Sequence, residues 1–207
     1  PTLAGTIAET LADPAQERFS DDDEQFLKFH GIYQQDDRDK RKTGKQYLYL
    51  IRARLPGGVV PATQYLAFDE LVRLHGNDTL RLTSRQSFQW HGVVKNRLGA
   101  LMRGLHEALC TTIAACGDVG RNVMAPPTPS TSPLVDQVQA DALKVDALLV
   151  PRTPSYHEVW VDGTPLKLTA GEKQAFEDPL YGRQYLPRKF KVAFAIPPLN
   201  DTDIYTH

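Results

Sequence analysis

The chain has 207 residues, 41% of them hydrophobic, and a formal net charge of −1, with a pI of about 6.7. That suffices for one or two domains with buried cores, and the balanced charge excludes a global field drawing the chain to nucleic acid or an anionic membrane. No apolar run reaches the ~18 residues of a membrane span, and no basic-then-apolar secretory signal opens the chain. Two cysteines suit a reducing compartment, so the cytoplasm, or the plastid stroma of a plant or alga, is the expected setting.

Residues 1–46 read as an extended, polar lead-in. It carries the acidic run Asp21 to Glu24 and the mixed-charge run Gln34 to Lys42, sequence of the kind that stays solvated. A short apolar island, Phe26 to Tyr33, interrupts it and is expected to dock on something.

Regular patterning begins at Tyr47. Tyr47 to Leu55 reads as a strand closed by Pro56-Gly57-Gly58. Ala62 to His75, with Leu66, Leu71, Val72 and Leu74 near helical spacing, reads as a helix stopped by Gly76-Asn77. Thr79 to Thr83 and Ser87 to Val94 alternate as strands, and Leu98, Leu101, Met102, Leu105 and Leu109 mark the seam of a second helix. This β-α-β-β-α order over 47–116 is most of a ferredoxin-like unit. Beyond Gly117, the proline-rich stretch Ala125 to Pro133 reads as a loop or crossing between domains, followed by a helix from Leu134 to Leu149 and strands at Tyr156 to Val161 and Phe190 to Ile196. The predicted class is α+β: a ferredoxin-like half-domain, then the beginning of a mixed α/β domain over 117–207. The chain ends at His207 with no stop or cap, as if cut.

The unusual feature is where the cations sit. Arg52 and Arg54 lie inside an apolar strand pattern, Arg81 and Arg85 flank Leu82-Thr83-Ser84, and Lys189 and Lys191 alternate with Phe190. Alternate residues of a strand share a face, so Arg52 is expected to pair with Arg54, and Lys189 with Lys191. Several such side chains buried together demand an anionic partner; arginine forks grip oxyanions bidentately and lysines act as mobile charges and proton donors. The competing reading is that each points outward, as most lysines and arginines do.

Taken in order, these tracts resemble the sulfite and nitrite reductase family. The tracts are Gly5 to Glu9, Phe29 to Asp39, Arg52 to Gly58, Arg81 to Gly92, Gly120 to Val123, Leu149 to Thr153 and Leu186 to Lys191. The resemblance implies six-electron reduction of sulfite to sulfide at a sirohaem coupled to a 4Fe–4S cluster. The electrons would come from a flavoprotein subunit or from ferredoxin. It places sulfite-binding cations at Arg52, Arg121, Lys189 and Lys191, and contacts to the sirohaem macrocycle and its carboxylates at Arg81, Thr83, Arg85, Gln89, His91 and Arg188. The second lysine of Lys189-Phe190-Lys191 favours sulfite over nitrite, because the nitrite reductases that resemble this stretch typically carry asparagine there.

The resemblance also implies a missing part. The family's cluster takes four cysteines, whereas Cys110 and Cys116 fall where it has no ligands and are expected to be small buried thiols. The cluster ligands are expected in a C-terminal half of the same enzyme, and these residues alone are expected to be inactive and to self-associate. No histidine shows a metal-ligand spacing and no glycine-rich phosphate loop occurs. Two readings of other classes remain: a stand-alone sirohaem-binding protein, and an RNA-binding module with Phe88 and Trp90 as a stacking platform.

Overall fold

The structure, a computed structural model, describes residues 5–152, 160–161, 164–165 and 177–198. Its centre is a four-stranded antiparallel sheet in the order β1-β2-β4-β3, formed by β1 (Ile32–Asp36), β2 (Tyr47–Arg52), β3 (Leu80–Leu82) and β4 (Phe88–Val93). Helices α3 (Ala62–His75) and α4 (Lys95–Glu107) complete the β-α-β-β-α order read from the sequence. Phe68, Leu71 and Val72 of α3 and Leu98, Leu101 and Leu105 of α4 join Tyr49, Ile51, Phe88, Trp90 and Val93 in one core. Trp90 is the keystone of that core: its ring meets Phe68 edge-on at 5.1 Å, and its indole nitrogen donates to the Phe68 carbonyl at 3.2 Å. Phe88 and Trp90 are both buried, which removes them as a stacking platform for RNA.

The lead-in is not extended. Short helix α1 (Ile7–Ala12) and helix α2 (Asp21–Phe29) precede β1. The acidic run is the first turn of α2, where carboxylates oppose the positive end of the helix, and the Ser20 hydroxyl caps it by accepting from the Asp23 amide at 3.1 Å. The apolar island supplies Leu27 and Ile32 to the main core, and β1 lies along β2 with Ile32 opposite Ile51. Charged residues here hid a helix because they crowd its exposed side.

Other differences have local causes. Strand β2 ends at Arg52 rather than Leu55, because Gly31 and Phe88 carbonyls take the Arg52 and Ala53 amides and the chain then turns through Pro56–Gly58. Leu109 is not part of the α4 seam: the helix stops at Glu107, and Leu109 is exposed with φ +55°. In β4 the register slips by one residue, Tyr49 facing Val93 and Ile51 facing Trp90. Gly92 at φ +70° accommodates this bulge, so Trp90 and Val93 both reach the core.

Helix α5 (Pro133–Leu149) stands where the sequence predicts it. Its Ala142, Val138, Val145 and Leu149 pack with Val123, Ala125, Val192 and Phe194. Phe190 to Ile196 is no ladder strand; it forms isolated parallel bridges, Gly120 with Phe190 and Met124 with Ala193, because it runs beside a loop instead of a sheet. Of the strand expected at Tyr156 to Val161, residues 153–159 lie outside the described residues, and β5 (Trp160–Val161) pairs with β6 (Thr164–Pro165). Among the described residues no helix is long and apolar enough to cross a membrane.

One interaction joins the sheet to α5. Arg54 is buried and donates to Asp146 through Nε at 2.9 Å and Nη2 at 2.7 Å, while its Nη1 donates to the carbonyls of Ala114 and Gly120 at 3.0 and 2.8 Å. Removing one member of a buried pair strands the other charge. Asp146→Ala is therefore expected to cost about 3–5 kcal/mol in urea denaturation. Asp69→Ala, which deletes an exposed pair with Arg73 on α3, should cost less than about 1 kcal/mol.

Candidate anion-binding site

The face of the sheet opposite Trp90 carries the cations. Cross-strand register sets Arg52 opposite Gln89 and Gln89 opposite Arg81, one polar row across β2, β4 and β3. The Arg52 guanidinium lies over the Tyr33 ring at 5.7 Å. Hydrogen bonding orients the Gln89 amide: its oxygen accepts from Arg52 Nε at 2.8 Å and Nη2 at 2.5 Å, and its nitrogen donates to His91 Nε2 at 3.1 Å. Burial, followed by the charges of Arg81 and Arg52, pushes the His91 imidazole down to about 4, so it is a neutral acceptor near pH 7.

Two further arginines are aimed from loops. Arg121 donates from Nε to the Gly117 carbonyl at 2.8 Å and from Nη1 to the Ala115 carbonyl at 3.2 Å. Arg85 sits in the β3–β4 turn, which Thr83 holds by accepting the Arg85 and Ser87 amides at 3.3 and 3.2 Å. Its Nη2 donates to the carbonyls of Asn122 and Val192 at 2.7 and 2.8 Å, but Nε and Nη1 are shut off from solvent without a partner. Burial and the neighbouring Arg121 lower it to about 10.

Lys189 and Lys191 arrive on the segment bonded to residues 119–124, where the Arg121 amide donates to the Phe190 carbonyl at 2.9 Å. The lysines register the other cations. Lys189 is lowered by Arg188 first, then by burial, Arg121 and Arg52; Lys191 by burial first, then by Arg85, Lys189, Arg121 and Arg188. Such mutual depression requires the groups to converge.

Arg52, Arg85, Arg121, Lys189 and Lys191 therefore gather at one site. Arg81 belongs to the same row but is exposed, as is Arg188. Thr83 spends its hydroxyl on the turn, Gln89 turns its amide oxygen to Arg52, and His91 bonds the Gln89 nitrogen. Arg54, expected beside Arg52, is instead buried against Asp146, because the strand has ended between them.

Sequence reasoning passed over four contributors. Asp146 looks like a surface acid of α5. Asn122 joins three segments, its Oδ1 accepting the Leu55 amide at 2.8 Å and its Nδ2 donating to the Leu55 and Arg85 carbonyls at 2.9 and 2.8 Å. Its place beside Arg121 was the available signal. Tyr33 and Cys116 are hydrogen-bonded near Arg52 and Arg121, and burial outweighs those cations in raising the Cys116 thiol. Cys110 is likewise buried and pushed up to about 12. No group of three or more His, Cys, Asp or Glu able to hold a metal occurs among the described residues.

Residues 40–108 match the model of the nitrite/sulfite reductase ferredoxin-like half domain. Over 99% of its length the chain is 46% identical to the sulfite reductase [NADPH] hemoprotein beta-component of Staphylococcus haemolyticus and 49% identical to that of Methylocella silvestris. The chain belongs to the nitrite and sulfite reductase family. It spans 36% of the length of each of these two family members. The fold agrees with the structure of the Mycobacterium tuberculosis NirA protein, at a TM-score of 0.63 and 17% identity, covering 92% of this chain and 32% of that one.

The His91 environment fixes a pH signature for this family member. An unfolded histidine titrates near 6.5 and the folded one near 4. Protons thus bind the unfolded state first, and His91 withdraws stability as pH falls from 6.5 toward 4. In an NMR titration the His91 ring is expected to stay neutral between pH 8 and pH 5; a midpoint near 6.5 would contradict the geometry.

Proposed function

We propose that this chain is the N-terminal portion of a sulfite reductase haemoprotein and forms its anion-binding wall. In that protein sulfite is reduced to sulfide by six electrons at a sirohaem coupled to a 4Fe–4S cluster. The observation that carries the proposal is the convergence of Arg52, Arg85, Arg121, Lys189 and Lys191 with two buried Arg85 nitrogens, Nε and Nη1, left unpartnered. No carboxylate forms an ion pair with any of these cations among the described residues. Buried donors without acceptors are costly, and an anion entering from outside the chain would complete them.

Sirohaem carries eight carboxylates, so the residues present fit it: Arg85 offers the orphaned donors, and Arg81, Thr83 and Arg188 lie along the same surface, to which the family resemblance also assigns Gln89 and His91. When bound, it would supply the iron that takes the sulfur and the route for electrons. The residues present do not fit the iron–sulfur cluster, which needs four ligands where this chain has two cysteines, both buried. Its ligands are assigned to a C-terminal half of the same enzyme.

Arg52 and Arg121 would grip sulfite oxygens as forks, with Lys189 and Lys191 completing the cage. Three oxygens must leave as water, so the site must also deliver protons. The lowered pKa of each lysine makes its Nζ a readier donor than a free lysine. The relatives are sulfite reductase [NADPH] hemoprotein beta-components, which supports an NADPH-linked flavoprotein subunit as electron donor, in preference to ferredoxin, and a cytoplasmic setting. The same proposal divides the chain into the lead-in 1–46, the half-domain 47–116 and the start of the sirohaem- and substrate-binding domain 117–207. The main core reaches Cys110 and a separate cluster joins Val123, Ala125 and Ala142, which supports a boundary near residue 116. Ala114, Val119 and Tyr181 nevertheless pack across it, and Phe19, Leu27 and Ile32 tie the lead-in to the half-domain.

In the complete, sirohaem-loaded reductase, Arg121→Ala is expected to raise the sulfite KM by roughly 10–100-fold, the loss of a charged hydrogen bond, with sirohaem absorbance unchanged. Lys191→Asn should shift the kcat/KM ratio from sulfite toward nitrite. Wild-type kinetics in both variants would remove the site.

A further inference from the structure

We infer that Gln89 is a positioning residue for Arg52, held in orientation by His91, so that the row across β2 and β4 presents one guanidinium in a fixed pose without cancelling its charge. The inference rests on the proposed role of Arg52 in binding sulfite and goes beyond it.

An arginine has five N–H donors in a rigid fork. The Gln89 oxygen takes two of these donors along one edge, Nε at 2.8 Å and Nη2 at 2.5 Å, the side-on grip a carboxylate usually provides. A carboxylate at 89 would hold the fork equally well but neutralise it, and an anion site needs the charge. The amide gives the geometry of the pair without its countercharge.

An amide can turn end for end, and the reversed pose would set its NH2 against the guanidinium. The Arg52 donors prevent this, and His91 adds to it in the tautomer that leaves Nε2 without a proton, whose ring accepts the Gln89 NH2 at 3.1 Å. The Tyr33 ring beneath the guanidinium at 5.7 Å is a third restraint. The spacing is economical: Gln89 and His91 are two apart on β4 and share a face, and the register sets Gln89 opposite Arg52. A prepositioned group binds more tightly because its ordering cost is already met.

The test uses the complete, sirohaem-loaded reductase and this chain in parallel. Gln89→Leu is expected to raise the sulfite KM of the sirohaem-loaded fraction about tenfold, with the loaded fraction read from visible absorbance. Gln89→Glu should raise KM further, because it keeps the grip and removes the charge. His91→Leu should give an intermediate rise. Combined with Arg52→Ala, Gln89→Leu should add nothing. By NMR on this chain, the Arg52 Nε–H proton should exchange slowly in the native protein and fast in Gln89→Leu or Gln89→Met. An equal KM rise in the Arg52→Ala background, or unchanged Nε–H exchange, would overturn the positioning role and leave the proposed function standing. An unchanged sulfite KM in Arg52→Ala would overturn both.

Discussion

The buried pair between Arg54 and Asp146 governs the geometry of everything that follows β2. A strand leaving the sheet must hand its chain to the loop at 111–123, and that loop must pass close enough to α5 for both to be enclosed. Arg54 accomplishes this by addressing three partners: the Asp146 carboxylate, the Ala114 carbonyl and the Gly120 carbonyl. Asp146 in turn accepts the Val123 amide at 3.3 Å. The loop is thus fixed on both sides of Arg121, whose side chain bonds the Gly117 and Ala115 carbonyls. A buried charge outside the anion-binding site thus sets the aim of one proposed to lie within it.

The site faces a problem that the rest of the molecule does not. Five cations converge in a chain whose overall charge is −1, so repulsion is concentrated locally while balancing acids lie elsewhere. The fold meets this with neutral acceptors. Backbone carbonyls take donors from Arg85 and Arg121, and a side-chain amide takes those of Arg52. Each satisfies hydrogen bonds while leaving the positive field in place, and the depressed lysines are the visible residue of that field.

Much of this was legible in the sequence because it follows from period alone. The helices over 62–75 and 134–149 and the β-α-β-β-α order all come from the 3.6 and 2.0 repeats. The failures also have a pattern. Period reasoning carried β2 three residues too far and so misplaced Arg54, because what ends that strand is a set of carbonyls from Gly31, Phe88 and Thr111, distant in sequence. It missed α2 and β1 because charged exposed faces outnumber their apolar ones, leaving Leu27 and Ile32 as the only strong markers. Asp146 was invisible for the same reason as Arg54: each is explained only by the other, 92 residues away.

The bulge in β4 separates two demands that a regular strand would couple. Before Gly92, odd and even residues divide between the polar row and the core; after it the phase is reversed, and Val93 enters the core where a plain continuation of Phe88 and Trp90 would put residue 92. An added Cβ at Gly92 would lie 2.7 Å from that of Asn77, so a larger residue cannot be housed there without displacing the turn after α3. The strand therefore has two independent halves. Drift in packing around Val93 and the start of α4 is absorbed at the glycine and does not reach Gln89 and His91, which frees the helical layer to diverge in sequence while the polar row keeps its alignment.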